Sequence, residues 1–93
     1  MEFEWDDDKA AANVQKHGVT FEEAATVFGD PFEATMLDLK HSDTEPRMLS
    51  MGRSELDRLL VVSYTERDGR IRIISAREAT PQERRSYESS RLN

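Results

Sequence analysis

Residues 59–77 read LLVVSYTERDGRIRIISAR, and the fold turns on how they pair. LLVVSYTE, residues 59–66, is rich in β-branched and aromatic side chains, and IRIISAR, residues 71–77, is a second run of the same kind. Asp68-Gly69 between them is a tight-hairpin dipeptide, because both positions tolerate positive φ. With a two-residue turn, Arg67 faces Arg70, Thr65 faces Arg72 and Leu60 faces Arg77. One face of the ribbon then carries Ser63, Thr65, Arg67, Arg70, Arg72 and Ile74. The other carries Leu60, Val62, Tyr64, Ile71, Ile73 and Arg77, and this apolar face is expected to meet the helices. A slip of one residue would exchange the two faces.

Working outward, Phe3 and Trp5 alternate with Glu2 and Glu4 and predict a short first strand. Asp6 is placed to cap a helix DDKAAANVQKH, with acids in its first turn, Lys16 and His17 in its last, and Gly18 at the left-handed cap. Thr20 and Glu23 have capping-box spacing for a second helix, which Gly29 and Pro31 end. PFEATMLDL and RMLSMGRS read as strands, and HSDTEP between them as a loop. Thr80, Pro81 and Glu83 start a last helix at its cap, first and third positions. The expected class is α+β: one domain over residues 1–93, in the order β-α-α-β-β-β-β-α, with a small antiparallel sheet and helices packed on one face.

Composition narrows function. Ninety-three residues hold one core, and the absence of cysteine excludes disulfides, thiolate metal sites and a cysteine nucleophile. The opening MEFEWDDDK is acidic and lacks an apolar run, which predicts no signal peptide, and no segment has the length of a membrane span. A cytoplasmic protein is expected. The net charge of −6 hides an asymmetry: residues 1–45 hold twelve acids and three bases, residues 46–93 seven acids and ten bases. All ten bases in the second half are arginines, whose planar donor forks suit phosphate. The plain alternative is ion pairing across a mixed surface, and the overall acidity argues against broad, non-specific nucleic-acid binding.

Few other residues carry chemistry. Arg77, at the end of an apolar run, needs a partner, which is either a phosphate or one of Glu66, Glu83 and Glu88. His17 reads first as a helix C-terminal residue, and His41 lies in a polar loop. Neither histidine has a second ligand at metal-binding spacing, so no metal or other cofactor is expected. There is no glycine-rich phosphate loop and no nucleophile elbow.

FEWDDDKAAANVQKHGVTFEEAATVFGDP, residues 3–31, and RIRIISAREATPQERRSYE, residues 70–88, resemble the BrnT family of toxins, the toxin halves of bacterial type II toxin–antitoxin pairs. Trp5-Asp6, Lys9, Asn13, Lys16-His17-Gly18 and Phe21 fall in family order, followed by Ile74-Ser75-Ala76-Arg77 and Glu83-Arg84-Arg85. The resemblance implies a RelE-like fold and a ribonuclease that arrests translation, neutralised by a BrnA antitoxin. DNA would be contacted only through that antitoxin, and no membrane is involved. The family's basic motif residues carry over onto Lys9, His17, Arg72 and Arg77. RNA cleavage without metal needs a base, an acid and cations on the phosphorane. Arg77 and Arg72 are the expected cationic clamp, and Glu66 or His17 the acid or base. Arg67, Arg70, Lys9, Lys16 and Arg84 are the expected RNA contacts. A non-catalytic module, acting only as antitoxin partner and co-repressor, is the competing reading, and a plain nucleic-acid-binding domain a more distant third.

Overall fold

The computed structural model describes residues 1–41 and 45–91, so part of the expected HSDTEP loop lies outside the described residues. The elements follow the expected order: β1 (Glu2–Glu4), α1 (Asp7–His17), α2 (Phe21–Thr26), a 3₁₀ turn (Val27–Gly29), β2 (Ala34–Leu37), β3 (Met48–Arg53), β4 (Leu59–Arg67), β5 (Arg70–Glu78) and α3 (Pro81–Arg91). The five strands form one sheet in the order β1-β5-β4-β3-β2.

Local chemistry sets the helix ends. The Lys9 N–H donates to Asp6 Oδ1 at 3.0 Å, and the Gly18 N–H closes α1 onto the Val14 carbonyl at 2.9 Å with φ of 67°. The Glu23 N–H donates to Thr20 Oγ1 at 3.0 Å. At α3 the capping box is reciprocal: the Glu83 N–H donates to Thr80 Oγ1 at 3.1 Å, and the Thr80 N–H donates to Glu83 Oε1 at 2.9 Å.

Two expectations about the sheet are corrected. It is mixed, not wholly antiparallel, because β1 runs parallel to β5 with Phe3 beside Ile71 and Glu4 beside Arg72. A period-two pattern marks a strand but not its direction. That direction follows from where α1 must go. The Asn13 side chain takes up the free edge of β5 beyond β1: Nδ2 donates to the Ala76 carbonyl at 2.9 Å, and Oδ1 accepts from the Ala76 N–H at 3.1 Å. Only a parallel β1 delivers α1 to that edge. Nδ2 also donates to the Val19 carbonyl at 2.9 Å, fixing the turn into α2.

The helices, moreover, cover both faces. Val19, Phe21, Ala24 and Val27 pack with Leu60, Val62, Tyr64, Ile71, Ile73 and Ala76 on one side, joined by Phe3, Trp5 and Phe28. Trp5 meets Phe21 edge-on at 5.9 Å, and Phe28 meets Tyr64 at 5.0 Å. On the other side Tyr87 of α3 packs with Met51, Leu59 and Val61. The four consecutive apolar residues Leu59–Val62 are the sequence signature of a strand buried on both faces.

The hairpin turn is as read. Arg67 pairs with Arg70 and Thr65 with Arg72, through Asp68 and Gly69 at φ of 52° and 77°. Farther down, a β-bulge changes the register. Tyr64 pairs with Ile73 but Ser63 with Ser75, leaving Ile74 as the extra residue. Arg77 therefore pairs with Val61 instead of Leu60, and it leaves the apolar face for the face of Arg72 and α3. Ala76 takes the inward position and is 1% exposed.

Asn13 is buried and hydrogen-bonds three backbone groups, the Val19 and Ala76 carbonyls and the Ala76 N–H. Asn13→Ala is expected to cost about 3 kcal/mol in urea unfolding, because buried amide groups lose their partners. A loss below about 1 kcal/mol would mean that water reaches this edge of β5 and replaces them.

Candidate nucleic-acid interface

Thr65, Arg67, Arg70 and Arg72 share the face of the sheet on which α3 packs. Here a cavity of about 250 Å³ forms between the hairpin, the N-terminal part of α1 and the segment before β3. Thr65 and Arg67 reach it from β4, Arg72 and Ile74 from β5, Lys9 from α1, and His41, Glu45 and Arg47 from the segment leading into β3. The bulge at Ile74 adjoins a second depression of about 200 Å³, which shares Lys9 and Ile74 and adds Lys16, His17 and Ser75. Together they make a cation-lined track that crosses β5 and runs along α1.

Most of the arginines selected from the sequence are already engaged by carboxylates. Glu45 receives Arg67 through Nε, at 2.9 Å to Oε2, and through Nη2. Arg70 Nε donates to Glu2 at 3.2 Å, and Arg72 Nη1 to Glu4 at 2.8 Å. The parallel register places those two glutamates beside their arginines. Arg77 donates from Nη1 and Nη2 to the two oxygens of Glu83 at 2.7 and 3.0 Å. Glu83 is thus shared between the α3 cap and the guanidinium. The ionic surface foreseen as the plain alternative is present, and it explains how an acidic chain gathers arginines on one hairpin. Arg58 follows the same rule inside the fold: Nε donates to Glu23 Oε2 at 3.0 Å beside the Ser54 hydroxyl, which donates to the same oxygen at 2.6 Å.

The electrostatics agree with the pairing. The Arg67 hydrogen bond holds the Glu45 carboxyl below its usual range, with further attraction from Arg67, Arg72 and Arg47. Glu83 is lowered to about 2, chiefly by the hydrogen bond from Arg77.

Among the selected residues, Arg72, Arg67 and Lys9 come together at the first cavity, and Lys16 and His17 at the second. Glu66 does not join them. It pairs with Ile71 on the Tyr64 side of the sheet, facing away from Arg72. Arg70 stands at the hairpin tip with Glu2, and Arg84, half-buried on α3, lines neither depression. Arg47, Glu45, His41 and Thr65 were not selected. His41 and Glu45 fall in the HSDTEP loop and Arg47 opens the RMLSMGRS strand segment, and only the fold brings the three beside the hairpin. Thr65 is 3% exposed and its hydroxyl has no hydrogen-bond partner among the described residues, although it lines a cavity of charged side chains. A larger groove of about 630 Å³ lies elsewhere, between Phe3, Phe28 and Pro31. It sets Arg53 among Asp30 and Glu55 and so offers an anion little attraction.

The chain is a small α+β domain whose mixed sheet carries a cation-lined cavity beside its hairpin. Residues 5–83 match the family described as the ribonuclease toxin, BrnT, of type II toxin–antitoxin systems, and the chain belongs to that family. The fold is similar to the crystal structure of the Brucella abortus ribonuclease toxin, BrnT, with a TM-score of 0.64 and 20% identity, over 86% of this chain and 97% of that one. No curated protein sequence matches this chain as a relative. Among the described residues no helix is long and apolar enough to cross a membrane.

The Glu83 pairing predicts an acid limb in stability. A carboxylate lowered from 4.5 to about 2 in the folded chain stabilises it fully above pH 4.5, and that contribution is lost as pH falls through about 2. Thermal unfolding between these limits should show a smaller fall with pH for Glu83→Gln than for the parent chain. Equal slopes would show that Glu83 is not held by Arg77 in solution.

Proposed function

We propose that this chain is the toxin of a type II toxin–antitoxin pair, acting as a metal-independent endoribonuclease that cleaves RNA and arrests translation. A BrnA-like antitoxin protein would hold it in check, and the RNA would be met free or on the ribosome. The observation that carries this reading is the convergence of Arg72, Arg67, Arg47 and Lys9 around one cavity with the Thr65 hydroxyl, which has no hydrogen-bond partner among the described residues. A phosphodiester brings negative oxygens that satisfy the hydroxyl and attract the cations. The spread of charge in a phosphorane would be stabilised by the same groups, which is what cleavage of RNA through its own 2′-hydroxyl requires.

In this reading Arg72, Arg67 and Lys9 hold the phosphate, and Lys16 and His17 extend the track along α1. Arg77 is drawn by Glu83 into the support of α3, and its effect on cleavage is indirect. An acidic antitoxin segment lying over the hairpin would compete with RNA for the same guanidinium groups, with association that weakens as salt rises.

The pairing of so many arginines with glutamates favours one other reading, a non-catalytic domain that serves only as antitoxin partner and co-repressor. Purified chain incubated with single-stranded RNA and a chelator separates the two. The ribonuclease reading expects cleavage, and Arg72→Ala should lower kcat/KM by about a hundredfold while circular dichroism stays unchanged. Intact RNA with the parent chain, and normal growth on its expression without antitoxin, would favour the non-catalytic domain.

A further inference from the structure

RNA cleavage through the 2′-hydroxyl needs a base beside the cation-lined cavity. Glu66 lies across the sheet, and Glu45 is committed to Arg67, which makes its carboxylate a poor proton acceptor. His17 belongs to the second depression, beyond Lys9 and Ile74. Among the described residues of the wall, His41 carries an imidazole. Its Nδ1 sits 3.0 Å from Asp38 Oδ2, three residues earlier in the chain. The imidazole side chain is 56% exposed, while the Asp38 carboxylate is only 13% exposed.

We propose that His41 is the general base of the RNA cleavage site and that Asp38 is its positioning residue. The inference rests on the ribonuclease reading above. A carboxylate on Nδ1 selects the tautomer with its proton on that nitrogen, which leaves Nε2 with a lone pair for a substrate proton. An imidazole nitrogen can both accept a proton and return it, the property a general base needs. Among the described residues, the charged groups that share its surroundings are Asp38, Glu45, Arg47, Arg67, Arg72 and Lys9. The cations hold the phosphate, Asp38 holds the ring, and Glu45 keeps Arg67 in place until a phosphate competes for it.

The chemistry balances without a further reactant. The 2′-oxygen forms a bond to phosphorus while its proton passes to Nε2 of His41. The bond from phosphorus to the 5′-oxygen breaks, and that oxygen takes a proton from water at the open mouth of the cavity. The hydroxide so formed removes the proton from Nε2. The products are a 2′,3′-cyclic phosphate and a 5′-hydroxyl end.

The test uses the full chain, a short single-stranded RNA, and the same oligonucleotide with deoxyribose at the cleaved position as a non-cleavable ligand. His41→Ala is expected to lower kcat by about a hundredfold or more with affinity for the deoxy ligand within about twofold of the parent. Added imidazole should restore part of the lost rate. Asp38→Asn should lower kcat with affinity likewise retained, and Asp38→Glu should recover part of it. Arg72→Ala should instead weaken binding of the deoxy ligand. Because His41 is exposed, its replacement does not open the core, and circular dichroism checks that the fold persists. Cleavage by the parent chain with kcat of His41→Ala within about threefold would overturn this assignment and leave the ribonuclease reading intact. A loss of rate matched by an equal loss of affinity would also overturn it, making His41 a binding group. No cleavage by the parent chain would overturn the assignment together with the reading on which it rests.

Discussion

The grip of the Asn13 side chain on Ala76 organises this molecule, because it lets a helix finish a sheet edge that a three-residue strand cannot cover. β5 is paired along one side by β4 except at the Ile74 bulge, but β1 reaches only as far as Arg72. Beyond that point the N–H and C=O of Ala76 would face the interior unpaired. A carboxamide has one donor and one acceptor group side by side, so it can replace a strand for one residue. With Asn13 there, α1 must lie along β5, Lys9 must stand near Arg72, and Val19 and Phe21 must drop onto the sheet.

The bulge at Ile74 is the second constraint, and it governs charge as well as shape. Without it, Arg77 would enter the layer occupied by Leu60, Val62 and Phe21, where an unpaired guanidinium carries a heavy desolvation cost. One additional residue turns Arg77 toward α3 and supplies Ala76 for the core. Glu83 then receives both the helix N-terminus and the arginine, so the C-terminal helix is fastened to β5 by a charge as well as by the packing of Tyr87.

The arginine-rich hairpin is consequently two things at once. Its exposed ion pairs add little to stability, since each exchanges solvent for a partner at the surface. They hold the Arg67 and Arg72 donors in register around the cavity, and in the proposed function those donors exchange a carboxylate for a phosphate of the same charge sign. That is consistent with a BrnT-family chain whose net charge is −6. Local arrangement of donors, not the sum of charges, defines an anion site at short range.

Much of the fold was legible in the amino acids themselves because it rests on local chemistry. Asp68-Gly69 specified the turn, Asp6, Thr20 and Thr80 specified helix starts, and Gly18 specified a helix end, each through contacts within a few residues. The quoted motifs also carried the family, since residue identity in fixed order is a property of the chain alone. The direction of β1, the side on which α3 packs and the partner of Arg77 were decided only by the tertiary structure. Each depends on a contact between residues far apart in sequence, or on a bulge that leaves no mark on an alternating pattern. The cavity shows the same division. Arg72, Arg67 and Lys9 stood out by type and spacing, whereas Arg47, Glu45, Thr65 and His41 acquire meaning only where β3, β4 and α1 bring them within reach of one another.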